Sequence, residues 1–389
     1  MNLHVIDTGL FKLDGGAMFG VVPKTLWSKG IPPDEKNLCT WAMRCLLVED
    51  GDRLILIDNG IGDKQDAKFF SHYDLHGEDT LEGSLKKAGF NRDDVTDVLL
   101  THLHFDHCGG SIVRHGDGFA PAFKNATYWS NEHHWQWATK PNAREKASFL
   151  TENILPIQES GQLKFVDVFR NLADLLPDQT QRDSVANIDT VESFITLCAY
   201  EIEELHQEGV NVTYTEVARR LIDEAGPQFI KYFKVGYKAA LHWMRYEHPD
   251  LHCEDTDESI NEQHNKLRHE YNSQLMPKHN VARLLDRYDV AIVNGHTESM
   301  MIPMIPYKGR TVAFMADLLP SAHHIPLPWV MGYDTRPLLT LEEKRSFLER
   351  AADENIVLFF EHDATNQCAT VERTEKGIRL KETFPLSAL

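Results

Sequence analysis

Residues 101–107 read Thr-His-Leu-His-Phe-Asp-His and directly follow the apolar run Asp-Val-Leu-Leu at 97–100. So short an apolar run is consistent with a buried strand. The histidines would then sit in the loop at its C-terminal end, where α/β folds favour ligand sites. Imidazole and carboxylate in the pattern H-x-H-x-D-H are the donors that zinc and similar divalent ions take. On an extended loop His102 and His104 project to one side and can share one ion. Asp106 and His107, just past them, can turn towards a second. One loop cannot fill two coordination spheres, so any fold built on this segment must bring in further donors from downstream.

Three such donors stand at the ends of strand-like runs. His296 follows Ala-Ile-Val-Asn-Gly at 291–295, Asp317 follows Val-Ala-Phe-Met-Ala at 312–316, and His362 follows Val-Leu-Phe-Phe-Glu at 357–361. Each alone reads as an ordinary loop residue. Together they have the placement that a site at one edge of a sheet requires.

The surrounding pattern supplies such sheets. Strands are predicted at 41–48 and 53–57 around the turn Glu-Asp-Gly-Asp, and at 97–100, 126–129 and 163–166. Others are predicted at 289–293, 300–305, 311–315 and 357–360. Helices are predicted from Thr80 to a stop at Gly89, over 131–138, 143–159 and 341–352. From about 177 to 287 the periodicity is helical almost throughout, with segments ending at Gly209, Gly226-Pro227, Pro249 and Pro277. The expected organisation is an α/β domain over 1–167 and 287–389, split by a helical insertion at 168–286. Aromatic residues there, such as Phe229, Tyr232, Tyr237 and Trp243, read as that insertion's own core. A lid, an oligomer interface and a peripheral elaboration are the uses open to it.

Composition narrows the partners. A formal charge of −19 argues against a basic surface for nucleic acid or an anionic membrane. No stretch approaches the ~20 apolar residues that span a bilayer, and the first residues show no signal-peptide pattern. The six cysteines are scattered without a C-x-x-C pair, which fits reduced thiols and a cytoplasmic location. Cys108 reads as a small buried residue, and His133 and His134 as packing or surface.

The chain resembles the metallo-β-lactamase fold superfamily. Thr-His-Leu-His-Phe-Asp-His-Cys-Gly-Gly (101–110), Gly-His-Thr (295–297), Ala-Asp (316–317) and Glu-His-Asp (361–363) match its successive metal motifs in order. Ile-Asp-Asn-Gly (57–60) looks like its early Asp-x-Gly turn. The resemblance implies an αββα sandwich, an α/β fold with its metals at one edge. It implies that His102, His104 and His296 hold one ion, that Asp106, His107 and His362 hold another, and that Asp317 bridges them, with Asp58 buttressing the metal loop. Two divalent ions are expected, zinc foremost, with manganese or iron as alternatives.

Such a pair activates a shared water for attack on a carbonyl or phosphoryl centre, with Asp106 orienting the nucleophile and moving a proton. Gly-Gly-Ala-Met-Phe-Gly (15–20) and Pro-Leu-Pro-Trp-Val-Met-Gly-Tyr-Asp (326–334) look like the branch of N-acyl homoserine lactonases and methyl-parathion-type hydrolases. That points to a small-molecule lactone or ester as substrate, with Met18, Phe19, His323, Trp329 and Tyr333 as candidate pocket residues. Phosphoester or thioester hydrolysis, di-iron redox chemistry and a non-catalytic metal-stabilised binding module are the rival readings.

Overall fold

The computed structural model describes residues 1–166, 281–285 and 287–389, with 198, 201–205, 207, 213–225, 237, 256, 259–260 and 262–263 between them. By contact density the chain divides into two compact units, Met1–Asp167 with Ala282–Leu389, and Val168–Val281. In the second unit the helix Tyr214–Ala225 buries Val217, Ala218, Leu221 and Ile222. Thr213 and Glu216 cap it reciprocally, each side chain accepting from the other's backbone N–H. Of the other helices expected between 177 and 287 only scattered residues are described, such as 201–205, and most of that block's aromatics lie outside the described residues. The helical reading fails at its end, where Val281–Leu284 is a strand of the first unit's second sheet.

The first unit holds two mixed sheets in the αββα arrangement. The strands are β1 (Asn2–Asp14), β2 (Leu38–Asp50), β3 (Arg53–Ile57), β4 (Asp97–Leu99), β5 (Ile112–His115), β6 (Gly118–Pro121), β7 (Thr127–Ser130) and β8 (Leu163–Phe165). They continue with β9 (Val281–Leu284), β10 (Tyr288–Val293), β11 (Met300–Tyr307), β12 (Arg310–Phe314), β13 (Val357–Phe359), β14 (Cys368–Thr374) and β15 (Gly377–Phe384). One sheet runs β1-β2-β3-β4-β7-β8 and the other β15-β14-β13-β12-β11-β10-β9, while β5 and β6 form a separate hairpin. β3, β4, β7 and β8 pair in parallel, so their C-terminal ends share one edge.

Strand parity explains the layering. Cys45, Leu47, Leu54 and Leu56 join Leu81, Leu85, Trp135, Ile154 and Ile157 in one core, which places the helices Leu81–Lys87, Glu132–Thr139 and Thr151–Glu159 over the first sheet. Leu46, Val48, Ile55 and Ile57 have the opposite parity and are also buried. Arg44 interrupts the apolar run of β2. Its guanidinium donates to the carbonyls of Phe360 (3.1 Å) and Asp363 (2.8 Å) and to Asp7 (3.1 Å), tying the two sheets together. The helix Pro337–Asp353 buries Phe347, Leu348 and Ala351.

The helix expected over 143–159 is shorter, beginning at Thr151. The Asn142 side chain accepts from the backbone of Arg144 and Glu145 (2.8 and 3.1 Å) and so forms a turn there. Ser148 gives its carbonyl to Phe105 N instead of to a helix. The C-terminal hairpin β14–β15 was not anticipated, because β15 is mostly exposed and lacks an apolar face.

Candidate metal centre

The turn after β3 is the mould for the metal loop. Asp58 sits there at φ 55°, a left-handed conformation that Asp tolerates better than most residues. Its carboxylate accepts from Thr101 N (2.8 Å) and Thr101 Oγ1 (2.6 Å), while Asn59 N donates to the carbonyl of His107 (2.9 Å). A Cβ on Gly109 would lie 2.0 Å from the Ile61 carbonyl and one on Gly110 2.2 Å from that of Asn59. Only glycine lets the loop close on its mould. The short helix Phe105–Cys108 then swings Asp106 and His107 past His102 and His104.

The second sheet delivers the other donors. Glu343 accepts from the backbone of Asn294 (2.7 Å) and Gly295 (2.9 Å), so the helix Pro337–Asp353 fixes the loop of His296. Ala316 takes φ 41° immediately before Asp317. His362 is clamped to β2, its carbonyl accepting from Ala42 N (3.1 Å) and its Nδ1 facing the Ala42 carbonyl at 2.8 Å, while its own N–H donates to the Pro320 carbonyl.

All seven residues meet. His102, His104, His296 and Asp317 form one group and Asp106, His107 and His362 another, the donor atoms of each group lying within 4.8 Å of one another. His104 Nδ1 is 3.1 Å from both His102 Nε2 and His296 Nε2, and His362 Nε2 is 3.2 Å from His107 Nε2. Asp317 spans the groups, with Oδ2 3.1 Å from His296 Nε2 and Oδ1 3.1 Å from His362 Nε2. All seven are buried, yet Asp317 Oδ1 has no hydrogen-bond partner among the described residues. Imidazole nitrogens converging at such spacings on one shared buried carboxylate are a donor set that fits divalent cations.

The electrostatics agree. Burial pulls His296 and His362 down, but Asp317 outweighs it and pushes them to about 10 and about 9. Burial would raise Asp317, yet His296, His362 and His107 hold it well below the usual carboxylate range. Without ions these imidazoles take up protons that a metal must displace, so loading weakens as pH falls.

Each ligand's far nitrogen meets an acceptor, and several of these acceptors were not foreseen. His102 Nδ1 faces Thr101 Oγ1 (3.1 Å), and His296 Nδ1 faces Asp334 Oδ1 (2.8 Å). His107 Nδ1 lies between Glu361 Oε2 (2.9 Å) and Asp58 Oδ2 (3.2 Å). His104 Nε2 lies 3.6 Å from Glu145 Oε1. Asp334 and Glu361 stand inside segments already singled out by their sequence. Glu145 carries no local signal at all. His134 proves buried, its Nε2 accepting from Leu103 N at 2.8 Å, so it pins the metal loop from outside. Cys108 is buried as expected.

The proposed pocket residues divide. Met18 and Phe19 are packed into core, with Phe19 stacked between Trp27 (5.3 Å) and His324 (4.7 Å). They back the site and offer no open surface. His323 packs against Gly30, where a Cβ would come 2.5 Å from its ring. Trp329 meets Phe19 edge-on at 5.6 Å, and Tyr333 is 40% exposed. The aromatics around Phe105 were missed: Phe69 at 5.4 Å and Tyr73 at 4.7 Å. Burial and then Asp106 push the Tyr73 phenol up to about 12 and raise Tyr333 as well, which brings both rings into the field of Asp106.

The family model of the metallo-beta-lactamase superfamily matches residues 44–182. An N-acyl homoserine lactonase of Bacillus thuringiensis is 32% identical over 85 residues, covering 19% of this chain and 33% of that protein. A probable metallo-hydrolase of Mycobacterium bovis is 32% identical over 112 residues, 24% of this chain and 35% of its own length. These matches span about a third of each relative.

Among solved structures, a probable metal-dependent hydrolase from Staphylococcus aureus superposes with a TM-score of 0.62 at 20% identity, covering 99% of this chain and 98% of its own. AidC, a dizinc quorum-quenching lactonase, gives 0.54 at 18% identity, covering 98% and 95%. At these identities the likeness is one of fold. Residues 44–182 thus match the metallo-beta-lactamase superfamily model, and the chain is similar in fold to metal-dependent hydrolases.

Proposed function

We propose that this protein is a dinuclear metal-dependent hydrolase that opens a lactone or cleaves a carboxylic ester. The observation that carries the reading is the convergence of seven buried His and Asp side chains, with Asp317 facing both groups. His102, His104 and His296 would hold one ion, Asp106, His107 and His362 the other, and Asp317 both. When bound, such a pair brings the pKa of a water towards neutrality and polarises the substrate oxygen; zinc fits this donor set.

The chain's own groups supply the rest. Asp106 Oδ2 lies 3.8 Å from His107 Nε2 and 3.7 Å from His362 Nε2, at the margin of the second group. A carboxylate there can take the proton of the attacking water and return it to the leaving alkoxide. Phe69, Tyr73 and Phe105 make an apolar wall beside it, suited to an acyl chain or an aromatic leaving group. The lactonase among the curated relatives and the lactonase among the structural neighbours support a lactone as first choice.

The test is turnover by zinc- or manganese-loaded protein of N-acyl lactones, aryl esters, thioesters, a phosphotriester and bis-phosphodiesters. Lactone or ester hydrolysis that disappears on chelation and returns with metal is the expected result. Turnover confined to phosphorus or thioester substrates would replace the reading, and so would iron content with oxygen-dependent turnover.

A further inference from the structure

We infer that the turn at 142–145 is a positioning device for the ion held by His102, His104 and His296, acting through two neighbouring side chains. This rests on the metal-centre reading. Glu145 is one arm. It is buried (3% exposed), and its Oε1 accepts from Thr297 Oγ1 at 2.6 Å and lies 3.6 Å from His104 Nε2. Trp137 Nε1 (2.8 Å) and Asn142 Nδ2 (2.5 Å) donate to Oε2 and fix the carboxylate from behind. His104 Nε2 is buried with no hydrogen bond among the described residues, the Glu145 carboxylate facing it at 3.6 Å, and its Nδ1 is the atom that points at His102 and His296.

Ligation through Nδ1 requires the proton on Nε2, and a fixed carboxylate facing Nε2 selects that tautomer. Arg144 is the other arm. Its guanidinium donates to the carbonyls of Gly332 (2.5 Å) and Asp334 (3.1 Å), and Asp334 in turn holds His296 Nδ1. Both arms therefore end on ligands of the same ion. The groups facing His107 and His362 are Asp58, Glu361 and the Ala42 carbonyl, none of them on this turn.

The experiment measures zinc affinity step by step, by competition with a chromophoric chelator, for the wild-type chain, Glu145→Ala, Glu145→Gln and Arg144→Ala. Glu145→Ala should weaken one binding step by about 10–100-fold and leave the other unchanged. Glu145→Gln keeps one acceptor oxygen to face Nε2 but sets its NH2 against the N–H donors of Trp137 and Asn142, so it should recover part of the loss. Arg144→Ala should weaken the same step by a smaller factor. Nitrogen-15 NMR of the imidazoles in the zinc-loaded wild-type chain should show His104 protonated on Nε2; this readout needs no variant to fold. Unchanged affinity in Glu145→Ala, equal weakening of both steps, or an Nδ1-protonated His104 would overturn the inference while leaving the metal centre intact. A wild-type chain that takes up no zinc would overturn both.

Discussion

The two halves of the metal centre are built from different material. Around Asp106, His107 and His362 the supports are Asp58, Glu361 and the Ala42 carbonyl, all on strands or within a few residues of a strand end. Around His102, His104 and His296 the main supports, Glu145 and Asp334, come from loops between elements. One half inherits its geometry from sheet registry. The other depends on side-chain networks that must be made one hydrogen bond at a time. Thr101 and Asp58 are the join, since Asp58 reaches Thr101 beside His102 as well as His107 itself.

That contrast can be broken experimentally. Asp317→Asn removes charge from the residue facing both halves. It should deplete both ions by elemental analysis and cut turnover by more than the about 10⁴-fold that a proton-transfer group supplies alone. Asp106→Asn should cost about 10²–10⁴-fold in kcat. Metal content should stay near that of wild type, because His107, His362 and Asp317 remain; loss of the ion in step with activity would make Asp106 a ligand first. Asp58→Asn should weaken both binding steps by about 10–100-fold, whereas Asp334→Asn should weaken only one. If Asp334→Asn weakens both equally, the halves are not independent and the comparison fails.

The smallest effect concerns Lys344. It is buried, donates to the carbonyls of Pro326 (3.0 Å) and Trp329 (2.8 Å), and is pulled down by burial to about 7. Its folded value lies below its unfolded one, so between about pH 7 and 10.5 the unfolded chain binds the extra proton. Stability of wild type relative to Lys344→Met should rise with pH across that window, by up to about 1.4 kcal/mol per pH unit, and be flat below it. Melting temperatures at pH 6, 8 and 9.5 on both proteins check this.

The sequence made the ligands of both halves legible, and their supports much less so. H-x-H-x-D-H and the strand ends at His296, Asp317 and His362 were readable because buried strands are short apolar runs and metal donors are few in kind. Asp58 was readable as a turn residue of the superfamily motif. Glu145 was not, since it stands in what reads as an ordinary helical stretch, and its role depends on Asn142 breaking that helix and on Thr297 far along the chain. The aromatic wall was misplaced for a similar reason. Met18 and Phe19 were marked by their motif, yet stacking draws Phe19 into the core, and Phe69 and Tyr73 come from a segment with no periodic pattern. For His134, read as packing or surface, packing holds, and its bond from Leu103 N is what the sequence could not show.

The donors are divided between the sheets: His102, His104, Asp106 and His107 follow β4 of the first, and His296, Asp317 and His362 follow β10, β12 and β13 of the second. Ions bound there act as a rivet across the sandwich, closing a covalent-like loop between residues far apart in the chain. Resistance to heat and to proteolysis then becomes a function of free metal concentration, rising by RT ln(1 + [M]/Kd) for each ion that the unfolded chain does not bind. A cell short of metal would then hold a chain that unfolds more readily as well as one without its ions.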